Sequence, residues 1–385
     1  MELIPGNRIA LLKSGAEYFP ALLGAIDKAA SYVRIETYIF ADDSAGRSVA
    51  DALTRAAGRG VAVRLVIDGF GSRELPQARI DALRGAGVAV LFYRPEVAAL
   101  RFRKSRLRRL HRKITLIDGR IGFVGGINII DDMTGIDTGL PRLDYAVHIE
   151  GPLLEGVSHA MRRLWRILGW VNPGHREKGL DFPPVLPEKS GDMPARLVVR
   201  DNLAHRRDIE EIYLGAIHQA RREIIIASAY FLPGWRFRHA LVDAADRGVR
   251  VVLLLQGWSD HLLFHQASRA FYEHMLDHGI EIHEYVKSEM HAKVAVIDER
   301  WATVGSSNLD PFSLVLAREA NVVVEDEAFA RKLRTSLEID IMQGAQPVRR
   351  MQWKHRSFWV RFFTWIGYSY ARLAMGIVGV REKWF

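Results

Sequence analysis

The chain of 385 residues contains no cysteine, which excludes a disulfide framework, a cysteine-ligated metal and a thiol nucleophile. Acid is missing where base is dense. The segment 97–117 holds eight cations (Arg101, Arg103, Lys104, Arg106, Arg108, Arg109, Arg112 and Lys113) and no Asp or Glu, and the segment 347–385 holds eight against Glu382 alone. These two segments together exceed the net charge of +9, so a mildly acidic body carries two basic patches. An apolar stretch behind a basic start is also lacking at Met1–Asn7, so neither a signal peptide nor an N-terminal anchor is expected. Hydrophobic residues make up 49% and charged residues 26%, enough for an ordinary buried core and inconsistent with a disordered or fibrous chain.

What is present is an internal repeat. Ala56-Ala57-Gly58-Arg59-Gly60-Val61-Ala62-Val63 recurs in the second half as Ala244-Ala245-Asp246-Arg247-Gly248-Val249-Arg250-Val251. Each copy reads as a helix end, a glycine turn and a buried strand. The strand Val33–Phe40 and its helix from Ser44 are echoed by Ile224–Phe231 and a helix from Trp235, and Gly87-Val88-Ala89-Val90 by Gly279-Ile280-Glu281-Ile282. Alternating strands and helices predict an α/β fold. Between the copies lie Pro173, Pro183, Pro184, Pro187 and Pro194, five of the 14 prolines, which mark a linker. The expected organisation is a first repeat over 1–172, a linker over 173–195, a second repeat over 196–345 and a tail over 346–385. Two such repeats are expected to pack about a pseudo-twofold axis, with a site between them.

The sharpest recurrence is His111-Arg112-Lys113 with Asp118, Gly125-Gly126 and Asn128, which returns as His291-Ala292-Lys293 with Asp298, Gly305-Ser306 and Asn308. The shared pattern is H-x-K-x4-D-x6-G-[GS]-x-N. Side chains at i and i+2 share a strand face, so each His projects with its Lys. Asp118 and Asp298 stand an odd step of five past the lysines, on the opposite face, and are read as structural supports. Two imidazoles, two ammonium groups, two amides and glycine-exposed backbone donors suit a singly charged phosphodiester, with charge stabilisation from lysine and no metal or other cofactor expected.

This constellation resembles the phospholipase D superfamily, whose HKD motif it reproduces twice across nearly the whole chain. The stretches Ile35–Phe40, Gly122–Asn128, Asp144–Pro152 and Ala229–Gly234 resemble most closely the bacterial cardiolipin synthases that lack N-terminal transmembrane helices. The resemblance implies two α/β/α sandwich domains, a catalytic set of His111, Lys113, Asp118, His291, Lys293 and Asp298, and phosphate binding by Asn128 and Asn308. It implies a phosphohistidine intermediate, with His111 favoured as nucleophile and His291 as acid/base. Asp144 and Glu319, each opening a similar strand in its repeat, are candidates for orienting the histidines. The implied activity is phosphatidyl transfer between phosphatidylglycerol molecules with release of glycerol. The alternatives are a hydrolytic phospholipase D, a nuclease-type phosphodiesterase and an inactive membrane scaffold.

Comparison of the repeats makes the segment 98–110 an insertion, since the interval between matching positions shortens across it. Lying beside His111, it reads as a solvated loop or as a lid that docks on anionic headgroups. The tail from Pro347 carries ten aromatics interleaved with Arg and Lys, the composition of a membrane interface. It reads as an interfacial segment, a spanning helix or a helix packed on the body. The expected partner is therefore an anionic phospholipid surface, not nucleic acid, with no protein partner implied. The expected location is the bacterial inner membrane, with the catalytic body on the cytoplasmic side. His261 and His265, four apart, form a weak candidate metal pair. Trp165, Trp170, His148 and His283 read as packing or ordinary strand residues.

Overall fold

A computed structural model describes residues 2–94, 109–133, 138–171, 185, 188–201, 205–258, 267–310 and 317–350. The first repeat runs β1 (Ile4–Lys13), α1 (Ser14–Asp27), β2 (Tyr32–Thr37), α2 (Ser44–Gly58), β3 (Ala62–Asp68), α3 (Gln77–Gly85), β4 (Ala89–Tyr93), β5 (Arg109–Leu110), β6 (Lys113–Ile117), β7 (Ile121–Gly125), β8 (Tyr145–Glu150) and α4 (Leu153–Val171). The second runs β9 (Met193–Arg200), α5 (Asp208–Gln219), β10 (Glu223–Ser228), α6 (Trp235–Asp246), β11 (Arg250–Gln256), α7 (Tyr272–Asp277), β12 (Glu281–Tyr285), β13 (Lys293–Ile297), β14 (Trp301–Gly305), β15 (Ala317–Glu325), α8 (Glu327–Gly344) and β16 (Ala345–Pro347).

Local sequence accounts for these elements. Asp43 caps α2 by accepting from Gly46 N at 2.9 Å, and Val49, Leu53 and Ala56 form its buried stripe. Gly60 and Gly248 take positive φ (84° and 87°) at equivalent points, turning each chain from helix into strand. The motif strands β6 and β13 are buried at every residue, so they read as continuous apolar runs.

The strands form one sheet whose order is close to a palindrome, β16-β12-β11-β10-β13-β14-β15-β9-β1-β8-β7-β6-β2-β3-β4. Exchanging β1 with β9, and each neighbour with its counterpart, reproduces the order, which is the pseudo-twofold relation. At the seam β1 meets β9 antiparallel with a register shift between Ile4 and Asn7. Asn7 holds the seam: its Nδ2 donates to Ile4 O at 2.7 Å and Met193 O at 3.1 Å, and its Oδ1 accepts from Leu153 N at 2.8 Å. One apolar core lies under α1–α3 and another under α5–α7. A third is shared between the repeats and includes Leu164 of α4 and Leu337 of α8. Helix α4 contacts β9 and helix α8 contacts β1, so each repeat's last helix reaches the other's first strand.

Strand β9 begins at Met193, inside the span read as linker. Pro194 fits there because neither the β1 nor the β15 register pairs it. Most of that linker and residues 351–385 of the tail lie outside the described residues, as do Trp170's side chain and the pair His261 and His265. Of the insertion, only Arg109 and Leu110 are described, and they form β5, which pairs with β15 of the other repeat. Arg112 and Lys113 of the first basic patch face inward, at 3% and 4% exposure. Arg112 pairs with buried Glu36 at 2.6 Å and donates to Ala160 O of α4, so it braces the fold and is not available to a bilayer. Trp165 is a core residue, His148 packs on Phe123 and His283 sits beside Glu281.

Candidate active site

The two motifs meet where the repeats face one another, and each is completed by the other. His111 N donates to Arg318 O at 3.0 Å, and His291 N donates to Leu143 O at 2.8 Å. The residue after each of these carbonyls supplies the carboxylate: His111 Nδ1 lies 2.9 Å from Glu319 Oε1, and His291 Nδ1 lies 2.6 Å from Asp144 Oδ2. With Nδ1 engaged, each imidazole has its tautomer fixed and leaves Nε2 for chemistry. The two rings stand 6.4 Å apart, centroid to centroid.

Lys113 Nζ donates to His111 O at 2.7 Å, and Lys293 Nζ to His291 O, each lysine folding back along its own strand. Burial lowers Lys113 to about 7 and Lys293 to about 8, against the opposing pull of the site carboxylates. An anion entering the site would restore their charge. Asn128 accepts from Ile39 N at 3.1 Å, which fixes its amide beside the site, and Asn308 is likewise buried.

The structure does not bring Asp118 and Asp298 to this centre, although they belong to the motif's implied catalytic set. Asp118 accepts from the backbone N–H groups of Ala30, Ser31 and Tyr32, and Asp298 from those of Arg221, Arg222 and Glu223. Five residues along an extended strand separate each from its Lys, about 16 Å. They pin the motif strand to the start of β2 or β10.

The halves are alike in plan and unlike in charge. Glu319 also accepts from Ser306 Oγ; at the matching place the first repeat has Gly126, where a Cβ would clash with the Asp144 carboxylate. Burial pushes Glu319 upward, but His111, Lys113 and Ser306 outweigh it and hold the carboxyl below its ordinary value. Burial drives Asp144 up to about 7 despite Lys293. It also lowers both histidines, His111 against the pull of Glu319, and His291 much further with help from Lys293 and Lys113.

Three supporting positions were not apparent from the motif. Asp68 Oδ2 accepts from Leu110 N at 2.8 Å and Gln256 Oε1 from Met290 N at 3.0 Å, so each holds the residue preceding a motif His. Asp68 ends β3 and Gln256 ends β11, matching positions that alignment of the repeats could have revealed. Arg200 lies opposite Glu319 in the β9–β15 ladder, 1% exposed, with no hydrogen-bond partner for its guanidinium among the described residues. It is a buried cation placed to favour ionised Glu319. The equivalent position beside Asp144 is Ser14, which has no charge. Tyr38 packs edge-on against His111, ring centroids 5.0 Å apart.

The sequence matches the family described as cardiolipin synthase, PLD-like domain, over residues 22–140 and 213–341. It is 38% identical over 384 residues to cardiolipin synthase B of Escherichia coli strain K12, covering 97% of this chain and 90% of that one. It is 32% identical over 346 residues to the probable cardiolipin synthase YwiE of Bacillus subtilis, covering 89% of this chain and 68% of that one. In fold it is similar to phosphatidylserine synthase of Haemophilus influenzae, with a TM-score of 0.68 at 14% identity, covering 96% of this chain and 94% of that one. With two HKD motifs joined across a pseudo-twofold seam and this similarity along nearly its whole length, the chain belongs to the phospholipase D-like cardiolipin synthase family.

Proposed function

We propose that the protein is a cardiolipin synthase that transfers a phosphatidyl group from one phosphatidylglycerol to another. The observation that carries this reading is the pair of facing imidazoles, each tied at Nδ1 to a carboxylate of the opposite repeat. Nε2 of His111 attacks phosphorus while His291, which burial keeps neutral in the free site and the incoming phosphodiester anion together with Asp144 returns to the imidazolium, protonates the departing glycerol oxygen from the other side. A phosphorus–nitrogen bond forms and the phosphorus–oxygen bond to glycerol breaks. Neutral His291 then takes the proton from a glycerol hydroxyl of the second phosphatidylglycerol, whose oxygen displaces His111. Lys113 and Lys293, with Asn128 and Asn308, hold the non-bridging oxygens as charge builds on them.

The substrates reside in a bilayer, and the basic, aromatic-rich segment 347–385 supports work at an anionic membrane surface, with the body on the cytoplasmic face of the bacterial inner membrane. Purified protein given phosphatidylglycerol vesicles should yield cardiolipin and free glycerol in equal amounts. Phosphatidic acid as the sole lipid product would make the protein a hydrolase.

A further inference from the structure

The two halves of the site differ in a way the reaction needs. Symmetry would give each histidine the same surroundings, yet in the second repeat a pocket opens beside the residues that flank His291, at a place that is filled in the first. It is lined by Ala229, Tyr230, Gln256, Ser268 and Asp310 over an apolar floor that includes Leu255. Two of these residues adjoin His291 through the backbone: Ala229 N donates to Ala292 O at 3.0 Å, and Gln256 holds Met290 N.

Among the described residues, the matching place in the first repeat is occupied by the ring of Tyr38. The bridges Phe40–Ile129 and Phe231–Leu309 align the repeats, making Tyr38 the equivalent of Ala229 and Ile130 the equivalent of Asp310. The Tyr38 ring occupies the space between His111 and Gly71, where a Cβ on Gly71 would fall 2.9 Å from the ring. In the second repeat that aromatic ring is reduced to a methyl group, and an apolar side chain is exchanged for a carboxylate that is 5% exposed.

No Lys, Arg or His lines the pocket among the described residues, so it does not suit a phosphate. A carboxylate, an amide and hydroxyls above an apolar floor suit a short alcohol that carries a second hydrogen-bond donor. From this, and resting on the phosphatidyl-transfer reading, we infer that the pocket bounded by Ala229 and Asp310 is the subsite for the donor lipid's headgroup alcohol. The geometry thus selects headgroups at the His291 side, where the alcohol departs. Glycerol and ethanolamine share the required chemistry, since each presents hydroxyl or ammonium donors beyond the ester oxygen.

The test compares headgroup release from vesicles of phosphatidylglycerol, phosphatidylethanolamine and phosphatidylpropanol, the last lacking a second donor. Wild-type protein should favour at least one of the first two over phosphatidylpropanol by about tenfold or more in kcat/KM, because a site built around hydrogen bonds rejects the analogue without them. Which of the two it favours identifies the alcohol. Asp310→Asn and Ala229→Tyr should each reduce that ratio towards one, with phosphatidylpropanol turnover retained at least in Asp310→Asn. A wild-type ratio near one, or an undiminished ratio in Asp310→Asn, would overturn the inference. The ratio is read from headgroup release whether the acceptor is lipid or water. Formation of phosphatidic acid alone would therefore refute the synthase reading and leave the subsite test standing.

Discussion

The Nδ1 atom of His111 lies 2.9 Å from a carboxylate oxygen of Glu319, a residue 208 positions further along the chain and in the other repeat. Its mirror relation, His291 with Asp144, makes orientation of each motif imidazole the task of the opposite half. Neither repeat therefore holds a complete acid/base unit.

Replacing either imidazole removes one face of the displacement. His111→Ala and His291→Ala should each lower cardiolipin formation by at least about 10³-fold, measured as the initial rate on phosphatidylglycerol vesicles. Near-normal turnover in either variant would contradict the two-histidine scheme.

Glu319→Gln and Asp144→Asn keep size and lose the charge that fixes the tautomer. Each should cost about 10² to 10⁴ in kcat with KM for phosphatidylglycerol little changed. A pure KM effect would show that these carboxylates bind substrate and do not orient histidine.

Arg200→Met removes the cation facing Glu319 across the ladder while preserving much of the buried volume. Glu319 is held below its ordinary value, and without the guanidinium it should rise. Because the ionised form orients His111, the acid limb of the pH–rate profile should move to higher pH, by about one unit. Arg200→Lys should restore part of the shift, and an unmoved limb would assign Arg200 to packing alone.

Lys113 and Lys293 titrate at about 7 and about 8 through burial. Binding of a phosphodiester anion needs them protonated, so KM for phosphatidylglycerol should climb as pH rises through 7 to 8. Stability runs the other way: the unfolded lysines bind more protons than the folded ones between these values and the ordinary lysine range, so unfolding free energy should increase with pH there. Parallel KM and denaturant-unfolding series at pH 6.5 to 9 check both signs.

Truncation after Arg350 removes ten aromatics and six cations, counting from Met351. The shortened protein should shift from the membrane pellet to the supernatant on fractionation, and an unchanged distribution would remove the tail from the membrane contact.

Much of this was legible in the sequence because it is local. The recurrence of His, Lys and Asn on buried strands located the reacting groups, and the odd step to Asp118 and Asp298 assigned those acids to support. The crosswise pairing was not legible. Asp144 and Glu319 each open a strand in their own repeat, and nothing in either segment says whether the carboxylate serves the nearer or the farther histidine. The answer depends on the β1–β9 seam and on Leu143 and Arg318 presenting their carbonyls across it. The Arg200 charge and the exchange of Tyr38 for Ala229 escaped for a related reason. Repeat comparison rewards what recurs, whereas these positions matter because they do not.

The crosswise arrangement also sets when the protein becomes able to act. A ribosome delivers Glu319 208 residues after His111, a delay of about 10 to 40 s at ordinary elongation rates. Throughout that interval the first histidine lacks the carboxylate that orients it. The leading half of the chain therefore waits on the trailing half for the orientation of its own imidazole, and the same dependence denies that orientation to any fragment that ends before β15.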